Sequence, residues 1–88
     1  MHTFTERVTD MKKRSELEIM ISILEIARDE VLKTRIVYGS NLNFKIATRY
    51  IDRLSEMELI MKYRKEGKTY YKTTEKGLKF IRKYKEMF

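Results

Sequence analysis

Cysteine and proline are absent, glycine occurs three times and histidine once. Without cysteine there are no disulfides, no thiolate metal sites and no cysteine nucleophile. Without proline, and with so little glycine, long irregular loops are not expected. The single histidine, His2, stands beside the first methionine, where chains usually fray, so only scattered carboxylates remain as metal ligands. No apolar run reaches the roughly 18 residues of a membrane span, and the first ten residues are polar and mixed in charge rather than signal-like. No glycine-rich phosphate loop is present, and nothing places Ser15, Ser22, Ser40 or Ser55 in a pocket with a base. The expectation is a cytoplasmic protein that is not an enzyme, with no cofactor, metal, membrane or small-molecule substrate.

The 88 residues are 42% hydrophobic, which places them among globular rather than disordered chains and allows one small domain. Lysine, glutamate and isoleucine are plentiful and glutamine is absent, a trend of hyperthermophile proteins. The net charge is +7, and its distribution says more than its size. Between Ser15 and Leu32 five acids (Glu16, Glu18, Glu25, Asp29, Glu30) face one base, Arg28, a net −4, so the remainder carries +11. A domain polarised in this way orients itself in the field of a polyanion.

Residues 1–14 read as an N-terminal arm ending in Lys12, Lys13 and Arg14, and residues 15–88 as the domain. Ser15 and Glu18 form an S-x-x-E capping box, which predicts a first helix over 16–30. Leu17, Met20, Ile21, Leu24 and Ala27 make one apolar stripe on it, and Ile19, Ile23 and Ile26 a second, nearly opposite. Thr34 is the expected cap of a short second helix, 35–38, closed by Gly39. Asn43 caps a third helix, 44–57, with Phe44, Ala47, Ile51 and Leu54 toward the core and Tyr50 at its flank. Residues 59–64 and 68–73, parted by Lys65, Glu66 and Gly67, carry a hairpin signal. Thr74 caps a last helix over 75–88. The order helix, helix-turn-helix, hairpin, helix is mainly α with a small β-hairpin: a winged helix-turn-helix with a C-terminal helix. A plain α+β domain is the alternative, and the charge pattern favours the winged reading.

In that arrangement the third helix turns Lys45, Arg49, Asp52, Arg53 and Glu56 outward, with Thr48 at the edge. Recognition helices present their N-terminal residues to base edges, so Asn43, Lys45 and Arg49 are the expected readers of double-stranded DNA. Asp52 and Glu56 belong where the helix leaves the groove. Lys33 and Arg35, at the start of the second helix, suit phosphate clamping. Lys62, Arg64, Lys65 and Lys68 give the wing a basic edge for the adjacent backbone or minor groove, although edge lysines also serve to block strand aggregation. Tyr63, Tyr70 and Tyr71 are read as packing the hairpin rather than stacking on single strands. In the last helix Leu78, Ile81, Tyr84 and Phe88 share one face. They are expected to meet the Ile19, Ile23 and Ile26 stripe across a homodimer two-fold, making 74–88 a dimerisation helix.

Three stretches add a resemblance: Lys33-Thr34-Arg35-Ile36-Val37-Tyr38, Asn41-Leu42-Asn43-Phe44-Lys45 and Tyr71-Lys72-Thr73-Thr74-Glu75-Lys76-Gly77. From Arg14 onward the chain resembles the archaeal ten-kilodalton winged-helix DNA-binding proteins and, more broadly, archaeal winged-helix transcriptional regulators. The resemblance implies a homodimer joined by a long C-terminal coiled-coil helix, whereas this final helix spans only about fourteen residues. The expected function is DNA binding as a transcriptional regulator or a nucleoid-associated chromatin protein. The alternatives are a protein-interaction module built on the same fold and an RNA-binding domain.

Overall fold

The computed structural model describes residues 14–87, so the arm expected at 1–14, apart from Arg14, and the interface residue Phe88 lie outside the described residues. The first helix, α1 (Glu16–Ile26), begins where the capping box places it. The Ser15 hydroxyl accepts from the Glu18 N–H at 3.1 Å, and the Glu18 carboxylate accepts from the Ser15 N–H at 3.3 Å. The helix stops four residues before the expected Glu30 for a tertiary reason. Thr73, far along the chain, donates its hydroxyl to the Leu24 carbonyl at 2.7 Å and its N–H to the Ala27 carbonyl at 2.8 Å. With those carbonyls satisfied from outside, the chain leaves the helix and runs extended. Val31 then exchanges two backbone hydrogen bonds with Tyr71, at 2.8 and 3.0 Å, an antiparallel bridge with no periodic signal in the sequence.

Helix α2 (Lys33–Ser40) starts two residues ahead of expectation, with Leu32 and not Thr34 as its cap, and Leu32 supplies no side-chain bond to the first turn. Nor does Gly39 close it: the helix continues to Ser40 and turns out at Asn41, which takes the left-handed conformation (φ 61) that Asn tolerates. Gly39 serves packing instead. A Cβ there would lie 2.8 Å from Ile26 Cδ1, so its absence lets α1 and α2 approach closely. Helix α3 (Phe44–Glu56) is capped as expected by Asn43, whose side-chain oxygen accepts from the Ile46 N–H at 2.8 Å.

Strands β1 (Ile60–Lys65) and β2 (Lys68–Thr73) pair antiparallel from Ile60↔Thr73 to Lys65↔Lys68. The turn is two residues, Glu66 and Gly67, with φ of 52 and 78, the paired positive values of a tight primed hairpin turn. Helix α4 (Glu75–Met87) is capped by Thr74, whose hydroxyl accepts from the Gly77 N–H at 3.0 Å and donates to the Glu58 carbonyl at 2.7 Å. The order of elements is the expected winged one.

Helix α1 is the hub of the core, packed by α2, α3, α4 and β2 at once. Both of its apolar stripes are therefore covered by this one chain. Ile23 is 0% exposed and Ile81 1% exposed. This corrects the expectation that the two residues wait for a second molecule: α1 and α4 meet inside the chain. Ile19, Ile26, Leu78 and Tyr84 are half-buried against the same core. Among the described residues no helix is long and apolar enough to cross a membrane.

Candidate nucleic-acid interface

Helix α3 buries Ala47, Ile51 and Leu54, which fixes its rotation and turns Lys45, Arg49, Asp52, Arg53 and Glu56 to solvent. Among the described residues, Lys45 and Arg49 make no side-chain hydrogen bond or ion pair, so both cations of the leading half are available to a ligand. Arg53 is engaged differently. Its guanidinium pairs with Glu16 at 3.1 Å and lies 5.5 Å from the Tyr50 ring centre, which ties it to α1. Asn43 spends its carbonyl oxygen on the helix cap, so a bidentate grip on adenine, which needs that oxygen as acceptor, competes with the cap. The Thr48 hydroxyl donates to the Phe44 carbonyl at 2.9 Å.

The start of α2 adds Lys33 and Arg35 with no acid in the first turn. Leu32 leaves that turn without a side-chain acceptor, so its N–H groups and the helix dipole favour an anion. Arg35 is exposed and unpaired among the described residues, while the Lys33 ammonium lies over the Phe44 ring, 5.1 Å from its centre.

On the wing Lys62 and Lys68 are exposed and free of side-chain partners among the described residues. Arg64 folds onto the turn, donating to the Gly67 carbonyl at 3.0 Å and to Thr69 at 3.3 Å. Lys65 pairs with Glu30, and the Tyr63 hydroxyl donates to the same carboxylate. Tyr63 stacks on Tyr70 with ring centres 6.3 Å apart, and Tyr71 is buried, so the three tyrosines pack the hairpin. The acids of 15–32 thus neutralise particular bases. Glu16 holds Arg53, Glu30 holds Lys65, and Glu25 holds Lys85 at 2.9 Å and Arg28 at 2.8 Å. Of the exposed cations left without an ion pair among the described residues, Lys45 and Arg49 lie on the leading half of α3, Arg35 at the start of α2 and Lys62 and Lys68 on the wing, while Lys76, Lys79, Arg82 and Lys83 line α4.

Sequence reasoning missed the place of Glu30. Hydrogen bonds from Lys65 and then Tyr63 hold its carboxyl below the ordinary carboxylate range, and the same contacts push the Lys65 ammonium and Tyr63 hydroxyl up. A depressed carboxylate stabilises the fold above its unfolded pKa, and the contribution is lost as the pH falls through the folded value. Acidification is therefore expected to untie β1 from the Glu30 loop before the core melts. Following the Tyr63 ring and an Ile51 methyl by NMR during an acid titration checks this; coincident transitions would mean that the tether has no separate role. A second miss concerns Phe44, which belonged to the expected core stripe. Phe44 is 56% exposed, and Tyr38 on α2 is 82% exposed.

Leu17, Phe80, Lys83, Tyr84 and Met87 line an apolar groove of about 200 Å³ between the start of α1 and α4, with Met87 69% exposed at its rim.

A family model described as winged helix-turn-helix matches residues 13–88. An uncharacterised protein of Methanocaldococcus jannaschii is 36% identical over 77 residues, which span 86% of this chain and 75% of that one. Among solved structures, Sso10a-2, a DNA-binding protein from Sulfolobus solfataricus, superposes with a TM-score of 0.78 at 28% identity, over 84% of this chain and 78% of its own. The homodimeric winged helix-turn-helix DNA-binding domain Mb0332 from Mycobacterium bovis superposes with a TM-score of 0.68 at 18% identity, over 96% of this chain and 80% of its own.

Proposed function

This chain belongs to the winged helix-turn-helix family, and on that premise we propose that it binds double-stranded DNA, with α3 in the major groove and the wing beside it. The observation that carries the reading is the pair of uncommitted cations, Lys45 and Arg49, one helical turn apart on the leading half of α3. Cations of that kind match the two acceptors on the major-groove edge of guanine. Lys33 and Arg35 clamp phosphate at the start of α2, and Lys62 and Lys68 do so from the wing, fixing register without reading sequence. The relation to Sso10a-2, named a DNA-binding protein, supports the same reading. Readers on α3 favour a regulator with preferred sites over a purely sequence-indifferent nucleoid protein. No catalytic step enters.

Binding measured against salt on random and selected duplexes tests this. About five neutralised phosphates give a log–log slope of roughly −4 to −5. Arg49→Ala is expected to change which sequences are preferred, costing about 1–3 kcal/mol at one base pair, whereas Lys68→Ala weakens all sequences alike and lowers the slope by about one. A response indifferent to salt would overturn DNA binding; identical behaviour of the two variants would overturn the division into reader and clamp.

We also propose that a second copy of the chain covers the apolar groove of Leu17, Phe80, Tyr84 and Met87, giving a homodimer with two recognition helices suited to two-fold sites. The homodimeric state of Mb0332, which shares this fold, supports it.

A further inference from the structure

Phe44 is the first residue of α3, and the core does not account for it: Ala47, Ile51 and Leu54 fill that role while the Phe44 ring stands largely in solvent. It is nonetheless held in place. The Lys33 ammonium, reaching across from α2, lies over the ring, a contact that favours one ring position over free rotation in water. One turn further on, Thr48 has committed its hydroxyl to the Phe44 carbonyl, so this residue offers its methyl group as its unspent contact. Residues four apart are neighbours on a helix surface. The leading half of α3 therefore carries two parallel strips, a basic one of Lys45 and Arg49 and an apolar one of Phe44 and Thr48. The major groove offers a counterpart to each. Guanine presents two acceptors, and thymine presents a 5-methyl group that apolar side chains contact.

Resting on the DNA-binding reading above, we infer that Phe44 is a specificity-determining residue whose ring packs on the 5-methyl group of a thymine in the bound site. The preferred site then holds a thymine near the guanine read by the basic strip. An exposed aromatic at the tip of a recognition helix gains from this contact because methyl and ring leave water together.

The test begins by selecting preferred duplexes from a random pool with the wild-type protein. Each thymine of the best site is then replaced in turn by deoxyuridine, which removes the 5-methyl group and leaves base pairing intact. At one position the wild type is expected to lose about fourfold in affinity, the worth of one buried methyl group. Phe44→Ala should lose a similar factor on the thymine duplex and then fail to distinguish thymine from uracil at that position, while keeping the wild-type helical circular dichroism. If the wild type binds no duplex at all, the DNA-binding reading falls and this inference with it. If it binds without preference, or binds every uracil duplex as well as the thymine parent, DNA binding stands and the role of Phe44 is overturned. Undiminished thymine-over-uracil discrimination by Phe44→Ala overturns it equally.

Discussion

Gly77→Ala is expected to destabilise the protein by about 3 kcal/mol, the upper range for forcing one carbon into a packed site. A Cβ on Gly77 would lie 2.2 Å from the Leu59 carbonyl oxygen and 2.5 Å from Thr73 Cγ2. Neither neighbour is free to withdraw. The Leu59 carbonyl accepts the Thr74 N–H at 3.0 Å, and Leu59 itself is buried. The Thr73 hydroxyl and N–H are the two donors that end α1. Making room therefore disturbs the α4 cap and the α1 terminus together. For a domain of this size the loss corresponds to a fall in melting temperature on the order of 15 °C. Gly67→Ala is the control, since nothing lies within 4 Å of its Cβ position. Its cost is confined to holding φ +78 with a side chain, about 1 kcal/mol. Thermal denaturation of the two variants beside the wild type decides the point: equal melting temperatures for Gly77→Ala and wild type would mean that the close approach is not a structural requirement.

The same segment shows which parts of the fold were legible in the sequence. Where a residue acts on its own neighbours, the pattern suffices. Ser15 with Glu18, Asn43 with the first turn of α3, Thr74 with Gly77 and the Gly67 turn all work within three residues. Apart from the two ends of α2, where Leu32 and Asn41 stand in place of the expected Thr34 and Gly39, the features that escaped are made at long range. The end of α1 is set by Thr73, forty-nine positions from Leu24. The bridge at Val31 exists because Tyr71 comes to it. Gly39 looks like a helix terminator but is a helical residue made small by Ile26. Apolar spacing showed that α1 has two faces to bury, yet not that a hub helix can bury both within 88 residues.

The candidate site divides in the same way. The residue types and the face of α3 followed from periodicity, because buried Ala47, Ile51 and Leu54 fix the rotation. Which cations remain free did not follow, because that depends on where the acids of the first helix and its loop arrive. Arg53 and Lys65 meet carboxylates that lie thirty-seven and thirty-five positions away. Lys45, Arg49 and Lys68 do not. Spacing alone places Phe44 on the core face, but it is the first residue of α3, ahead of the buried Ala47, Ile51 and Leu54, and is 56% exposed.

Ile23→Glu is expected to abolish folding, not merely to separate two chains. The side chain is wholly enclosed by its own chain. Replacing it removes the burial of an isoleucine and places a carboxylate among Leu24, Ile36 and Ile81 in the core, where no partner awaits it. The combined cost is at least about 4 kcal/mol, comparable to the whole stability of a small domain. Met87→Glu and Phe80→Glu act elsewhere, on the rim and wall of the groove between α4 and the start of α1. Met87 is already in solvent, so a charge there leaves the fold intact and meets its penalty only when a second copy closes over the groove. Circular dichroism with sedimentation equilibrium at micromolar concentration separates the cases. Ile23→Glu should lose helical signal, and Met87→Glu should keep it while sedimenting as a monomer beside a dimeric wild type. A folded, monomeric Ile23→Glu would place that residue at an interface after all. A dimeric Met87→Glu and Phe80→Glu would move the seam away from the groove. A monomeric wild type would remove the dimer and leave the proposed DNA-binding role of α3 untouched, since Lys45 and Arg49 lie outside the groove.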